Sequence, residues 1–191
     1  MTEVLGYLHG GGVMMLPIVG LSVWMWTLVV QKGLEFWREG RAEGDLQEAL
    51  AYLRGQTPLR RRGPKALLLE RLKVMGKLGL REVEVALREV ELELSAPLKT
   101  VKVLASVAPL LGLLGTVLGM ISTFWAISIH GTGSPKALAA GVSEALITTV
   151  SGLLVSIPGL FAYGLLSRKA ERVARDLEEF AARVAARSRG I

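Results

Sequence analysis

The sequence predicts an all-α membrane protein with three transmembrane helices, two of which continue beyond the membrane as long cytoplasmic helices. Hydrophobic residues make up 51% and charged residues 21% of the 191 residues, and the mean hydropathy is +0.43. The two kinds of residue must therefore be segregated along the chain. Positions 4–31 and 103–135 carry no charged residue, and residues 137–167 carry only Glu144. Each of these stretches exceeds the roughly 20 apolar residues that one span requires.

The three spans are predicted at residues 11–31, 103–129 and 138–166. No basic residue precedes the first span, so we expect a retained helix rather than a cleavable signal peptide. Of the 23 Lys and Arg residues, 15 lie in residues 32–102, seven follow Ser167, one lies in the loop 130–137, and none lies in residues 1–10. Basic loops favour the cytoplasm. This predicts a periplasmic N-terminus, a cytoplasmic region over 32–102 and a cytoplasmic C-terminal helix over 167–191.

The stretches outside the spans are predicted to be helical. Apolar spacing predicts helices over 34–54 and 65–78, separated by a loop rich in glycine and proline at 55–64. Charged and apolar residues also alternate over 81–94, a pattern that is compatible with a strand. Apolar residues three or four apart favour a helix there, and it would run through Pro97 into the second span.

Small and hydroxyl-bearing residues share one face of each of the last two spans when these are drawn at about 100° per residue. In the second span the face contains Ala105, Ala108, Pro109, Gly112, Gly115, Thr116, Gly119, Thr123 and Ala126. In the third span it contains Gly141, Glu144, Ala145, Thr148, Thr149, Ser151, Gly152, Ser156 and Gly159. Such faces serve close helix packing or hydrogen bonding across helices. For Thr123 and Thr148 the first expectation is a hydrogen bond to a carbonyl of the same helix.

Glu144 is the candidate functional residue that a purely structural role explains least well. A carboxylate inside a span costs a few kcal/mol on insertion scales, so it should face a cavity or a partner. Beside a face lined with hydroxyl groups it could exchange protons with a pathway. The alternative is an acid near the outer interface that reaches toward water.

Several function classes are excluded or disfavoured by composition. The chain has no cysteine and only two histidines, which leaves no basis for a metal site, and no motif for a cofactor is present. An intramembrane enzyme would need a second acid, a metal or a Ser–His pair in the spans. The pI of about 9.9 is explained by the basic cytoplasmic segments, so no nucleic-acid partner is predicted.

Two segments resemble the proton-channel signature of the MotA/TolQ/ExbB family. They are SVAPLLGLLGTVLGMISTF at 106–124 and GVSEALITTVSGLLVSIPGLFAYGLLSR at 141–168. The segment GGGVMMLPIVGLSVWMW at 10–26 is similar to the family's first span. Three spans with an outside N-terminus match the ExbB/TolQ branch, whereas the flagellar-stator branch has a fourth span.

The resemblance implies a homopentameric channel in the bacterial inner membrane, lined by the second and third spans. Two copies of an ExbD/TolR-like single-span partner would sit inside it, and an aspartate of the partner would carry protons past pore-facing threonines. The motion would drive TonB- or TolA-type proteins. By motif, Thr116 and Thr149 are the pore threonines and Glu144 is the family's span-three acid. The pathway would also include Thr148, and the residues that pack or shape the pore would be Pro109, Gly112, Gly115, Gly119, Gly152 and Ser156.

Three alternatives stay open at this level. The chain could be a TolQ-type subunit for cell-envelope integrity and division rather than an ExbB-type subunit for transport. It could carry sodium instead of protons, because Thr148, Thr149 and Ser151 offer extra oxygen atoms. It could also be an inert membrane scaffold whose small faces only pack helices.

Overall fold

The computed structural model describes residues 11–39, 46–53, 55–56, 63–75, 79–130 and 135–188, and these are almost all helical. Helix α1 is Met15–Glu39, α2 is Leu46–Leu53, α3 is Pro64–Met75, α4 is Leu80–His130 and α5 is Pro135–Ser188. Three stretches are long and apolar enough to cross a membrane: Met15–Trp37, Arg81–Ile129 and Ala139–Arg187. The number of candidate spans therefore agrees with the sequence-based prediction.

Helix α1 begins four residues after the start of the predicted span 11–31. Gly12 has a φ of +61°, which lies outside the right-handed helical region. Its carbonyl oxygen accepts a hydrogen bond from the Met15 N–H at 3.2 Å, and this turn starts the helix. Pro17 is tolerated because the first four N–H groups of a helix have no partner within the helix. At its other end α1 continues to Glu39.

The helices predicted between the first two spans are confirmed wherever the structure describes them. Residues 34–39 form the end of α1 and residues 46–53 form α2, while residues 40–45 lie outside the described residues. The predicted helix 65–78 is α3. It begins at Pro64, where no backbone N–H is needed, and positions 76–78 of the prediction lie outside the described residues.

Helix α4 settles the ambiguity of residues 81–94, which are helical, so the strand alternative is wrong. Burial recurs every three or four residues on this stretch, at Val83, Ala86, Val90 and Leu94, which is the periodicity of one helix face. The alternation of charged and apolar residues is therefore a consequence of a charged outer face. Pro97 does not end the helix.

Helix α5 likewise continues past the third predicted span, as the sequence predicts. It passes through Pro158, which leaves the Leu154 carbonyl without its regular partner. Helices of 51 and 54 residues, α4 and α5, have axial lengths of about 75–80 Å. A hydrocarbon core is about 30 Å thick, so both helices must extend well beyond it.

The chain divides into two compact units, each built from two separate stretches of sequence. The first unit comprises residues 1–29 and 100–163 and contains most of the apolar sequence. Its interior includes Met25, Val101 and Ala105, against which Leu28 and Tyr163 pack. Its outer surface is apolar and contains the exposed residues Leu110, Leu114, Phe124, Trp125, Leu146, Leu154, Ile157 and Phe161. Such a surface suits lipid or further protein rather than water.

The second unit comprises residues 30–99 and 164–191 and has an ordinary hydrophobic core. The fully buried side chains in it include Leu68, Leu72, Val90, Leu177 and Val184. Polar contacts at the edge of the core join α3 to the other helices. Arg71 forms ion pairs with Glu93 at 2.7 Å and with Glu89 at 3.5 Å, both on α4. The Lys65 ammonium lies 5.5 Å from the centre of the Phe180 ring on α5. The Lys73 ammonium lies 4.3 Å from the centre of the Tyr52 ring on α2.

Two neighbouring substitutions on α3 are expected to differ strongly in their effect on stability. Leu72 is 1% exposed, so Leu72→Ala should lower the free energy of unfolding of this unit by about 2–5 kcal/mol. Arg71 and its two carboxylate partners are each more than 40% exposed, and Arg71→Ala should cost less than about 1 kcal/mol. Limited proteolysis of the detergent-solubilised protein across temperature would measure both. Equal effects of the two variants would contradict the assignment of the core.

Candidate functional site

The small faces of the second and third spans pack against each other within one chain, in the first unit. A Cβ atom added at Gly152 would lie 2.6 Å from the Ala108 carbonyl oxygen and 3.2 Å from the Gly112 Cα. One added at Gly112 would lie 2.9 Å from the Thr148 carbonyl oxygen. These atoms belong to the backbone, so the two helices approach as closely as glycine allows.

Two further glycines of α4 continue the same contact. A Cβ at Gly115 would meet the Thr148 side chain, with 2.6 Å to the Thr148 Cβ, and one at Gly119 would lie 3.0 Å from the Ala145 Cβ. The face deduced from the helical wheel is thus the face in contact. Ser156, on the same side of α5, is buried, and Pro109 is partly buried.

Most hydroxyl groups on this contact are bonded to their own helix. Thr123 donates to the Gly119 carbonyl at 2.8 Å and Thr148 to the Ala145 carbonyl at 2.7 Å, which are the hydrogen bonds expected from the sequence. Ser151 donates to the Ile147 carbonyl at 2.7 Å. Thr148 is 1% exposed. In a single chain these three side chains satisfy local backbone carbonyls, and Thr148 is not at a surface.

Thr149 differs from them because its hydroxyl bonds across the two helices. Its Oγ1 donates to the Gly112 carbonyl oxygen at 3.2 Å, and the side chain is partly buried. The Gly112 carbonyl is the regular α-helical acceptor for the Thr116 N–H, so Thr149 bonds to the helical turn that ends at Thr116. The Thr116 hydroxyl is partly exposed and donates to the Leu113 carbonyl at 2.6 Å.

Glu144 lies on α5, four residues before Thr148, and is partly buried. Its carboxylate lies against Gly12, in the turn that precedes α1: a Cβ added at Gly12 would be 2.8 Å from the Glu144 Cδ. No ion pair or hydrogen bond joins it to any other residue that the structure describes. Sequence reasoning missed Gly12, and the signal that could have found it is the GGG run at 10–12 just before the first span.

The site has no features of a metal centre in the part of the chain that is described. Among those residues, no group of three or more His, Asp or Glu side chains could hold a metal ion. The polar groups near the α4–α5 contact are hydroxyls, backbone carbonyls and one carboxylate. This set can donate, accept and exchange protons, and it can orient a charged group brought by another chain.

Comparisons with known proteins agree on the kind of protein that carries such a site. The family model described as "MotA/TolQ/ExbB proton channel family" matches residues 69–179, a range that contains Thr116, Glu144 and Thr149. The chain is 40% identical over 90 residues to "Biopolymer transport protein ExbB" of Aquifex aeolicus, which covers 47% of the chain and 61% of that protein.

Two other curated relatives extend the likeness. The chain is 36% identical over 118 residues to "Tol-Pal system protein TolQ" of Haemophilus influenzae, covering 61% of the chain and 48% of that protein. It is 32% identical over 170 residues to "Putative biopolymer transport protein ExbB-like 3" of Synechocystis sp., covering 78% of each. The chain thus matches 61% and 48% of the length of the first two relatives and 78% of the length of the third.

Proposed function

The chain belongs to the MotA/TolQ/ExbB proton channel family, and from this premise we propose that it is an ExbB/TolQ-like inner-membrane subunit of a motor driven by the proton-motive force. With an ExbD/TolR-like single-span partner it conducts protons and transmits energy to a TonB- or TolA-type protein for outer-membrane transport. The observation that carries the proposal is the Thr149 hydroxyl, which is partly exposed and bonded across two membrane helices to Gly112 at 3.2 Å.

The geometry of Thr149 suits a group that handles a travelling carboxyl. A threonine hydroxyl can donate one hydrogen bond and accept two. While it donates to Gly112, its oxygen can accept a hydrogen bond from a protonated carboxylic acid. When that acid loses its proton, the hydroxyl can turn and donate to the carboxylate instead. The bond that it gives up is 3.2 Å long, which is longer than the usual range of about 2.5–3.0 Å for an O–H···O hydrogen bond, so the exchange costs little.

The travelling carboxyl must come from another chain. The predicted spans contain one acid, Glu144, and no Asp, Lys, Arg or His. A single carboxylate near one end of a span does not form a continuous relay across about 30 Å of hydrocarbon. An aspartate on the single-span partner would complete the relay by passing Thr116 and Thr149, with Glu144 and Thr148 contributing to the same pathway.

Exposed apolar surface supports an assembly of several copies around that partner. The small faces of α4 and α5 are occupied within one chain, which leaves large residues such as Leu114, Ile121, Leu154 and Phe161 exposed. Five copies arranged around the partner would cover part of this surface and place the Thr116 and Thr149 edge toward the centre. The basic segments 32–102 and 167–191 would then lie in the cytoplasm, with the N-terminus in the periplasm.

The TolQ-type role is a second candidate because a TolQ protein is among the relatives, with 36% identity. The two roles differ in the partner rather than in the membrane chemistry. Co-expression with an ExbD-type and a TolR-type partner, each with its own tag, separates them. Retention of one partner and not the other through purification assigns the branch.

Native mass spectrometry of the detergent-extracted complex tests the assembly directly. The chain alone is expected to give five copies, and co-expression with the single-span partner is expected to give five copies plus two of the partner. Replacing the partner's span aspartate by asparagine is the matched control, since it should preserve these masses while stopping proton flux. A monomer or dimer that ignores the partner would overturn the motor proposal and favour the scaffold alternative.

A further inference from the structure

The turn that precedes α1 packs directly on α5. The Gly12 carbonyl caps the turn by accepting a hydrogen bond from the Met15 N–H at 3.2 Å. A Cβ added at Gly11 would lie 3.2 Å from Cγ2 of Ile147 on α5. All these residues belong to the first unit, and both glycines lie outside the range 69–179 that the family model matches.

Two features of position 12 favour glycine, and an added methyl group would meet the second of them by displacing the flexible end of the Glu144 side chain. Its φ of +61° is one that residues with a side chain rarely adopt. The space that a side chain would fill is also taken, because a Cβ there would overlap the Glu144 Oε1 and lie 2.8 Å from the Cδ. The second reason is specific to this position, since Gly55 has a φ of +74° with no heavy atom within 4 Å of its Cβ position.

We propose that Gly12 is a positioning residue that holds the Glu144 carboxylate of the proton pathway. The proposal rests on the proposed function in assigning Glu144 to that pathway, whereas the contact itself does not depend on it. The left-handed turn brings bare backbone to the carboxylate and blocks one direction in which it could rotate. The carboxylate is thereby restricted to the orientations that leave it partly exposed on α5.

The variant Gly12→Ala should displace the carboxylate, and Glu144→Asp should remove the conflict. In aspartate the carboxyl carbon takes the place of the Glu144 Cγ, 3.4 Å from the added Cβ, and one carboxylate oxygen takes roughly the place of the Glu144 Cδ at 2.8 Å, so the atom that overlaps the added Cβ is gone and a small rotation relieves the rest. A double-mutant cycle over these two positions therefore isolates their coupling. Gly55→Ala controls for backbone strain without a neighbour, and Gly20→Ala, also with no heavy atom within 4 Å, controls for an added methyl group in α1.

The readout is the rate at which dicyclohexylcarbodiimide labels the carboxyl at position 144 in the purified complex, followed by mass spectrometry of the peptide. We expect Gly12→Ala to raise the rate several-fold, the two control variants to leave it unchanged, and the Gly12→Ala effect to vanish in the Glu144→Asp background. Proton flux into liposomes containing the complex is measured in parallel. The flux should be lower in Gly12→Ala than in the wild-type complex. In the double variant it should match the flux of Glu144→Asp alone.

The outcomes separate the two proposals. Equal labelling in Gly12→Ala and Gly20→Ala would overturn the positioning role whatever the flux. Suppose instead that Gly12→Ala changes the labelling rate but the wild-type complex carries no protons. That result would overturn the proposed function and leave the positioning role standing. If Gly12→Ala alone does not assemble, restored assembly in the double variant supports the contact, and a double variant that fails like the single one contradicts it.

Discussion

Replacing Thr149 by valine is expected to abolish proton-driven energy coupling while leaving the assembled complex intact. Valine keeps the shape of threonine and removes only the hydroxyl, so the close packing of α4 on α5 should survive. The lost group is the one that bonds across to Gly112 at 3.2 Å and that we propose stabilises the passing carboxylate. A hydrogen bond to a charged group is worth about 1.5–3 kcal/mol, which corresponds to a loss of roughly 10- to 160-fold in flux.

The matched control for this substitution is Thr27→Val in α1. The Thr27 hydroxyl donates to the Val23 carbonyl of its own helix at 2.7 Å, so the same chemical change there removes a local bond alone. Flux into liposomes and the masses of the intact complexes would be compared for both variants. We expect unchanged masses in both and a loss of flux in Thr149→Val only.

Glu144→Ala and Glu144→Gln extend the test to the acid. Glutamine retains the size and hydrogen-bonding capacity of the side chain but cannot exchange a proton, so loss of flux with intact assembly would exclude the scaffold alternative. Full coupling in both Thr149→Val and Glu144→Ala would remove these residues from the pathway. Replacing the proton gradient by a sodium gradient in the same liposomes would identify a sodium-driven motor.

Gly152→Ala is expected to separate the second and third spans although it adds only one methyl group. Its Cβ would lie 2.6 Å from the Ala108 carbonyl oxygen and 3.2 Å from the Gly112 Cα. Backbone atoms cannot rotate away as a side chain can, so the helices must move apart. Overpacking of this kind costs about 1–3 kcal/mol, and the shift would also lengthen the bond between Thr149 and Gly112.

The temperature at which the detergent-solubilised complex loses its assembly would measure this effect. Gly164→Ala on the same helix is the control, because no heavy atom lies within 4 Å of its Cβ position. Alanine also has the higher helix propensity, so the control should be neutral or slightly stabilising. A Gly152→Ala complex as stable and active as the control would mean that α4 and α5 are farther apart in the assembly than within this chain.

Local patterns were sufficient to predict the helical class and the number of candidate spans. Charge-free stretches of adequate length have few alternatives to a membrane helix, because backbone polar groups must be satisfied within it. The wheel positions of Gly112 and Gly152 likewise identified the contact face, since small residues at helical spacing leave a groove for a second helix. Residues 81–94 were ambiguous between helix and strand. A helix with a charged outer face and a narrow buried face gives a sequence in which charged and apolar residues nearly alternate, as they do in a strand.

The sequence by itself determined that this chain is a helical membrane protein of the MotA/TolQ/ExbB family with a lone acid and a hydroxyl-lined face in its spans. The own-helix hydrogen bonds of Thr123 and Thr148 were expected from the sequence, but only the tertiary structure decided that the Thr149 hydroxyl bonds across the helices. Thr148 and Thr149 are adjacent and chemically identical, yet a rotation of about 100° per residue directs one to Ala145 and the other to Gly112. The contact of Gly12 with Glu144 joins residues far apart in sequence, so it depends on how α1 packs against α5 and is not encoded in any local pattern.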